Sequence, residues 1–159
     1  PNRKKRDKPV PEFFYRAAVI CHQGFILMEY RAGETLLSRM WGVPMVETNE
    51  ALPPEVQFAE VYGMQLKPEK NLGEVTHVFT HRIWRMDAAL YSIDVSRTPD
   101  AAPLSLGLQA PADIQIPENI PMPANCRWIK EERLKNLAVP TAFQKILGLL
   151  QQPGEGKRR

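Results

Sequence analysis

The chain has 159 residues, 43% of them hydrophobic, and this length and composition suit one domain with a buried core. No apolar run approaches the roughly 20 residues of a membrane-spanning helix, and the charged N-terminus lacks a signal-like apolar stretch, so we expect no membrane partner and a cytoplasmic location. The two cysteines are fewer than the about four thiolates of an iron–sulfur cluster, so we expect no cofactor in this chain.

The formal charge of +3 is concentrated at the two ends of the chain. Setting aside residues 1–8 and 153–159 leaves a body with 13 basic and 16 acidic residues. Tight binding of duplex DNA through its phosphates requires several basic contacts on one face, which an acidic body does not favour. Any nucleic-acid role must therefore be local, or be shared with another domain.

Proline content and charge divide the chain into four parts. Residues 1–12 combine charge and prolines without apolar periodicity and predict an interdomain linker, with a solvated basic tail as the alternative. Residues 13–152 form the predicted domain, and residues 153–159 a basic tail. Within the domain, residues 96–125 hold six prolines and predict an irregular surface insertion.

The predicted elements begin with a hairpin. Two β-rich runs, FFYRAAVIC from Phe13 and FILMEYR, flank a Gly-containing turn. LLSRMWGVP follows and predicts a packed loop that leads into a short strand at residues 45–47.

A short helix comes next. The paired prolines Pro53 and Pro54 mark its start and Gly63 its end, and Val56, Ala59 and Gly63 have the 3 to 4 residue spacing of a short helix.

The strongest strand signals are GEVTHVF and HRIWRMDAALYSIDV. In the second run, Trp84, Met86 and Ala88 alternate with polar residues, and the apolar series then moves to Tyr91 and Ile93. This change of parity predicts a bulge, or a strand that leaves the sheet.

Order resumes at residues 126–129, and an amphipathic helix is predicted to begin at Pro140. The apolar face of this helix comprises Ala142, Phe143, Ile146, Leu147 and Leu150. Hairpins combined with two helices indicate an α+β domain, with a mixed or antiparallel sheet and flanking helices.

Hydrolytic metal chemistry is not expected. A pyrophosphohydrolase of the Nudix type needs an RExxEE cluster to hold divalent ions, and the predicted central helix offers only Glu55 and Glu60, about 140° apart around its axis. His77 and His81 have HxxxH spacing, but in strand sequence four residues span roughly 13 Å, too far for one ion unless a turn folds them together.

Three blocks carry a resemblance to a known family. They are LLSRMWGVPMVE at residues 36–47, THVFTHRIWRM at residues 76–86 and WIKEERLKNLAVPTAFQKIL at residues 128–147. In this order they resemble the C-terminal, Nudix-like domain of MutY adenine DNA glycosylases, which has the patterns LLxxxWEFP and HxFSHxxW and a Pro-Thr/Ser helix. The chain departs from these patterns at Gly42-Val43 and at Thr80, which replaces serine.

The resemblance implies a Nudix-like fold and a role in base-excision repair. The parent enzyme excises adenine paired with 8-oxoguanine, in a helical catalytic domain that carries an iron–sulfur cluster. The implied partners are double-stranded DNA containing the 8-oxoguanine:adenine pair and the N-terminal catalytic domain of the same chain. We therefore expect a nucleoid-associated monomer that is non-catalytic by itself.

The family's Phe-Ser-His loop falls on Phe79, Thr80 and His81, followed by Arg82. The resemblance implies that Thr80 reads the altered purine edge, that Phe79 wedges against a base step, and that His81 and Arg82 orient the loop or meet phosphate. Without the family context, Phe79 reads as a core residue, Thr80 as a strand former and His81 as a polar hairpin residue.

Two other functions stay open from the sequence. One is a surviving Nudix-type nucleotide pyrophosphohydrolase, which the missing carboxylate cluster disfavours. The other is a protein-docking module that uses the proline-rich residues 96–125.

Overall fold

The computed structural model describes residues 9–33, 36–97 and 122–151. The strands are β1 (Glu12–His22), β2 (Phe25–Tyr30), β3 (Trp41–Gly42), β4 (Met45–Glu47), β5 (Leu66–Val78), β6 (Ile83–Ile93) and β7 (Cys126–Lys130). The α-helices are α1 (Pro54–Tyr62) and α2 (Thr141–Gly148), with short 3₁₀ turns at Val95–Arg97, Glu131–Asn136 and Leu149–Gln151. Most of the predicted insertion, and the basic tail, lie outside the described residues.

The seven strands form one mixed sheet. Its central path runs β3-β2-β1-β6-β5, with β4 paired to β1 and β7 paired to β2. Strands β1 and β6 run parallel, and the other pairs are antiparallel. This mixed sheet with two flanking helices confirms the predicted α+β class.

The predicted first hairpin is confirmed. Gln23 and Gly24 connect β1 to β2 with φ of 50° and 84°. Two successive positive φ values are the geometry of a tight turn whose twist matches the flanking strands, and glycine adopts this geometry without steric cost. Strand β1 begins at Glu12, one residue inside the predicted linker.

The change of parity in β6 has a different cause from the predicted bulge. Trp84 and Met86 belong to a core that includes residues of α2, on one face of the sheet. Tyr91 and Ile93 belong to a second core, which includes Phe58 of α1. The buried side of β6 therefore changes along the strand, because its first half packs into the first core and its second half packs into the second.

The pairing of β5 with β6 contains two register shifts, and both lie in β5. They lie between Pro68 and Lys70 and between Asn71 and Gly73 of β5. The prediction of a bulge within β6 is wrong for this reason, although the sequence signal that prompted it is real.

Both helices occur where they were predicted. Helix α1 ends at Gly63, which adopts φ of 71° and caps the helix by donating its N–H to the carbonyl of Ala59. Its buried residues are Gln57 and Phe58, whereas Val56 is 39% exposed.

Helix α2 buries Ala142, Phe143 and Ile146, and this confirms its predicted face. Within residues 9–33, 36–97 and 122–151, no helix has the length and apolar character needed to cross a membrane.

Candidate nucleic-acid interface

The four predicted site residues lie on one tight turn between β5 and β6. Antiparallel pairing brings Val78 opposite Ile83, and the N–H of Phe79 donates to the carbonyl of Arg82 at 2.8 Å. This bond closes the two-residue loop formed by Thr80 and His81. Both loop residues are exposed, so a duplex can reach their side chains.

Phe79 is half-buried at the base of the turn. Its ring meets the ring of Trp84 edge-on at a centroid distance of 5.0 Å, and the His77 ring at 4.8 Å. It thus packs against the core without being sealed inside it. The interpretation of Phe79 as a core residue is correct for one side of the ring.

Arg82 lies on the other side of the turn, against the start of β1. Its guanidinium sits 5.5 Å from the centroid of the Phe13 ring, at cation–π distance. The N–H of Ile83 donates to the carbonyl of Pro11 at 2.9 Å. The residues that lead into β1 therefore support the turn directly.

Arg31, which the sequence reasoning missed, organises the neighbouring loop. Its guanidinium lies 5.5 Å from the Trp84 ring and 5.6 Å from the Phe143 ring, and donates to the carbonyl of Leu36. Burial lowers its pKa, which the nearby Glu29 carboxylate partly offsets. The aromatic partners come from distant parts of the chain, so no local pattern signals this role.

A second missed group connects α2 to the turn. Nζ of Lys145 lies 3.2 Å from Nδ1 of His77 and 3.3 Å from the carbonyl oxygen of Thr76. Burial lowers the pKa of His77, and the adjacent Lys145 charge lowers it further. His77 was considered in the sequence only as a metal ligand, and the structure places it against a cation.

Helix α1 has no carboxylate arrangement of the hydrolytic kind. The side chain of Gln57 is buried, and its Oε1 accepts from Nη1 of Arg16 at 2.8 Å while its Nε2 donates to the carbonyl of Glu47. Among the residues that the structure describes, no three His, Cys, Asp or Glu side chains come together as metal ligands.

The sequence matches the family model of the NUDIX domain over residues 16–149. It is also 26% identical to the adenine DNA glycosylase of Rattus norvegicus, in an alignment that covers 97% of this chain and 28% of that protein. The chain thus spans less than a third of the length of this relative.

Solved structures share the fold. The C-terminal domain of mouse MUTYH, in a crystal structure of its complex with human PCNA, superposes with a TM-score of 0.52 at 21% identity and covers 87% of this chain and 86% of that one. The E. coli ORF135 protein superposes with a TM-score of 0.58 at 14% identity, covering 94% of this chain and 95% of that one. These comparisons confirm the resemblance found in the sequence and the Nudix-like fold.

Proposed function

The chain belongs to the Nudix domain family, and we propose that it serves there as the lesion-reading domain of an adenine DNA glycosylase, recognising 8-oxoguanine paired with adenine. The observation that carries the proposal is the exposed turn whose tip presents Thr80 beside the anchored Phe79 ring. Adenine removal itself belongs, in this proposal, to an N-terminal catalytic domain with an iron–sulfur cluster. The whole would act as a monomer in the cytoplasm, at the nucleoid.

Thr80 suits the altered edge of the lesion. Guanine offers an N7 acceptor in the major groove, whereas 8-oxoguanine offers an N7–H donor beside an O8 acceptor. A hydroxyl donates and accepts at once, so Thr80 Oγ1 can match both groups. One such pairing discriminates between bases by about 1 to 3 kcal/mol.

Phe79 suits the role of a wedge. Apolar side chains that enter a base step unstack it, and a half-buried ring held by His77 and Trp84 enters in a fixed orientation. His81 and Arg82 are exposed on the same turn, which supports a proposed contact of these side chains with phosphate. The turn thus combines base reading with local positive charge on an otherwise acidic body.

The chain by itself is proposed to be non-catalytic. A diphosphate-cleaving site needs several carboxylates around divalent ions, and α1 carries Gln57, already occupied by internal hydrogen bonds, between Glu55 and Glu60. Incubating the chain with magnesium and 8-oxo-dGTP should release no pyrophosphate. Magnesium-dependent release would instead support the hydrolase alternative.

The central test replaces the two reading residues in the full-length glycosylase. Thr80→Ala and Phe79→Ala should each reduce the preference for adenine opposite 8-oxoguanine over adenine opposite guanine, and Thr80→Ala by roughly 5- to 150-fold. Thr141→Ala, at an exposed threonine that begins α2, makes the same chemical change away from the turn and should leave the preference intact. Unchanged preference in both turn variants would refute the proposal.

A docking function is a second candidate, favoured by the structure of the similar mouse domain in complex with human PCNA. In this chain it would use residues 96–125, most of which lie outside the described residues. Deleting residues 98–121 should then abolish capture of a protein partner without changing base preference.

A further inference from the structure

We propose that Lys145 and His77 are positioning residues that hold the Phe79 ring in the orientation needed to contact the lesion. Through them, α2 sets the geometry of the recognition turn, which is the turn at residues 79–82. This inference rests on the proposed function of the turn. It assigns a specificity role to two side chains that need not touch the lesion.

The contacts form a closed path through α2. Lys145 contacts His77, His77 packs edge-on against Phe79, and Phe79 packs edge-on against Trp84. Trp84 in turn meets the ring of Phe143 at a centroid distance of 6.3 Å. Since Lys145 and Phe143 both belong to α2, the helix supports the Phe79 ring from two sides.

The lysine also fixes which ring nitrogen of His77 carries the proton. A lysine ammonium has three donors and no acceptor, so Nδ1 of His77 must accept at 3.2 Å. The imidazole is therefore neutral, with its proton on Nε2. Turning the ring by 180° about its Cβ–Cγ bond would place Cδ2–H, which has no lone pair, against the ammonium, so the contact selects one ring orientation.

The second contact of Lys145 ties the helix to the strand itself. Nζ also donates to the carbonyl of Thr76 at 3.3 Å, three residues before Phe79. Near the end of β5, the backbone of Thr76 and the side chain of His77 thus both contact α2 through Lys145. The exposed ammonium thus uses two of its three donors within the protein.

The test separates these roles by comparing two duplexes. In the full-length glycosylase, Lys145→Met should lower the preference for adenine opposite 8-oxoguanine over adenine opposite guanine by about 2- to 10-fold. This is the size of effect expected when one aromatic contact, here that of His77 with Phe79, is lost. Lys145→Arg keeps a donor and should restore most of the preference. Lys67→Met removes the same charge at the far end of β5 and should change nothing.

A spectroscopic readout follows the ring directly. In ¹⁵N-labelled chain, His77 should show the Nε2–H tautomer, and Lys145→Met should convert it to a mixture of tautomers while Lys67→Met leaves it unchanged. A merely structural lysine would not alter the tautomer of His77.

Three outcomes would overturn the inference. Equal weakening on both duplexes would make Lys145 a phosphate contact. An unaltered tautomer in Lys145→Met would remove the proposed linkage. If Lys145→Met retains the preference for adenine opposite 8-oxoguanine and Thr80→Ala loses it, positioning is refuted and the proposed function stands. Separately, retained preference in every turn variant would refute the proposed function itself.

Discussion

Gly42 and Phe143 lie so close together that a Cβ atom on Gly42 would sit 2.7 Å from Cε2 of the Phe143 ring. The ring is fully buried, with Trp84 at its edge and the Arg31 guanidinium above it. It therefore has little room to retreat. Gly42 is one of the positions where the chain departs from the MutY pattern, and this contact gives the departure a physical reason.

Replacing Gly42 with alanine should destabilise the fold. The added methyl group must displace the Phe143 ring from a closely packed core, and overpacking of this kind costs about 1 to 3 kcal/mol. Chemical denaturation of the variant and the parent chain measures the difference in the free energy of unfolding.

Gly148 provides the matched control. A Cβ atom there meets nothing within 4 Å, and the residue lies at the end of α2. Gly148→Ala should be neutral or slightly stabilising, because alanine favours helix over glycine by up to about 1 kcal/mol. Equal stability of the two alanine variants would contradict the packing argument.

The elements that the sequence predicts well are those with local signals. Gly24 marks the hairpin turn, Pro54 and Gly63 bound α1, and the spacing of apolar residues identifies the buried face of α2. The turn at residues 79–82 follows from the same logic, because two strong strand patterns flank a short polar interval. These features depend on residues close in sequence.

The features that the sequence does not predict depend on distant contacts. His77 and Lys145 are 68 residues apart, and nothing near either one indicates the other. The parity switch in β6 likewise reflects which core receives each half of the strand, and this is decided by tertiary packing. A local pattern therefore suggested a bulge that β6 does not contain.

Glu29 should make the stability of the chain depend on pH. Burial raises the pKa of its carboxyl, which hydrogen bonding from Tyr62 and the Arg31 charge only partly offset. A raised folded-state pKa means that the contribution of this group is complete below its ordinary value of 4.5 and is lost as the pH rises through the folded value.

Glu29→Gln removes this titration and keeps an oxygen that can accept from the Tyr62 hydroxyl. The free energy of unfolding of the variant should therefore improve relative to the parent between about pH 4 and about pH 7. Denaturant titrations at the two pH values measure this difference. A relative stability that is independent of pH would show that Glu29 is not perturbed in the folded chain.

The two cysteines should be inert in the folded chain. Burial raises the pKa of Cys21 to about 11 and that of Cys126 to about 12, so little thiolate forms near neutral pH. A thiol reagent should label both slowly under native conditions and rapidly in denaturant. Fast native labelling of either residue would contradict the described burial.

Tethering should dominate the affinity of this chain for lesion DNA. The turn offers few basic contacts and the body is acidic, so the isolated chain should bind an 8-oxoguanine duplex only in the non-specific range of about 10⁻⁴ to 10⁻⁶ M, with a shallow dependence on salt. Joined to a DNA-bound catalytic domain, the same turn should act at a high effective concentration and gain apparent affinity without new contacts. Fluorescence anisotropy with the isolated chain and with the full-length glycosylase, each at two salt concentrations, measures both quantities. Tight binding by the isolated chain that persists at high salt would mean that a surface other than this turn holds the duplex.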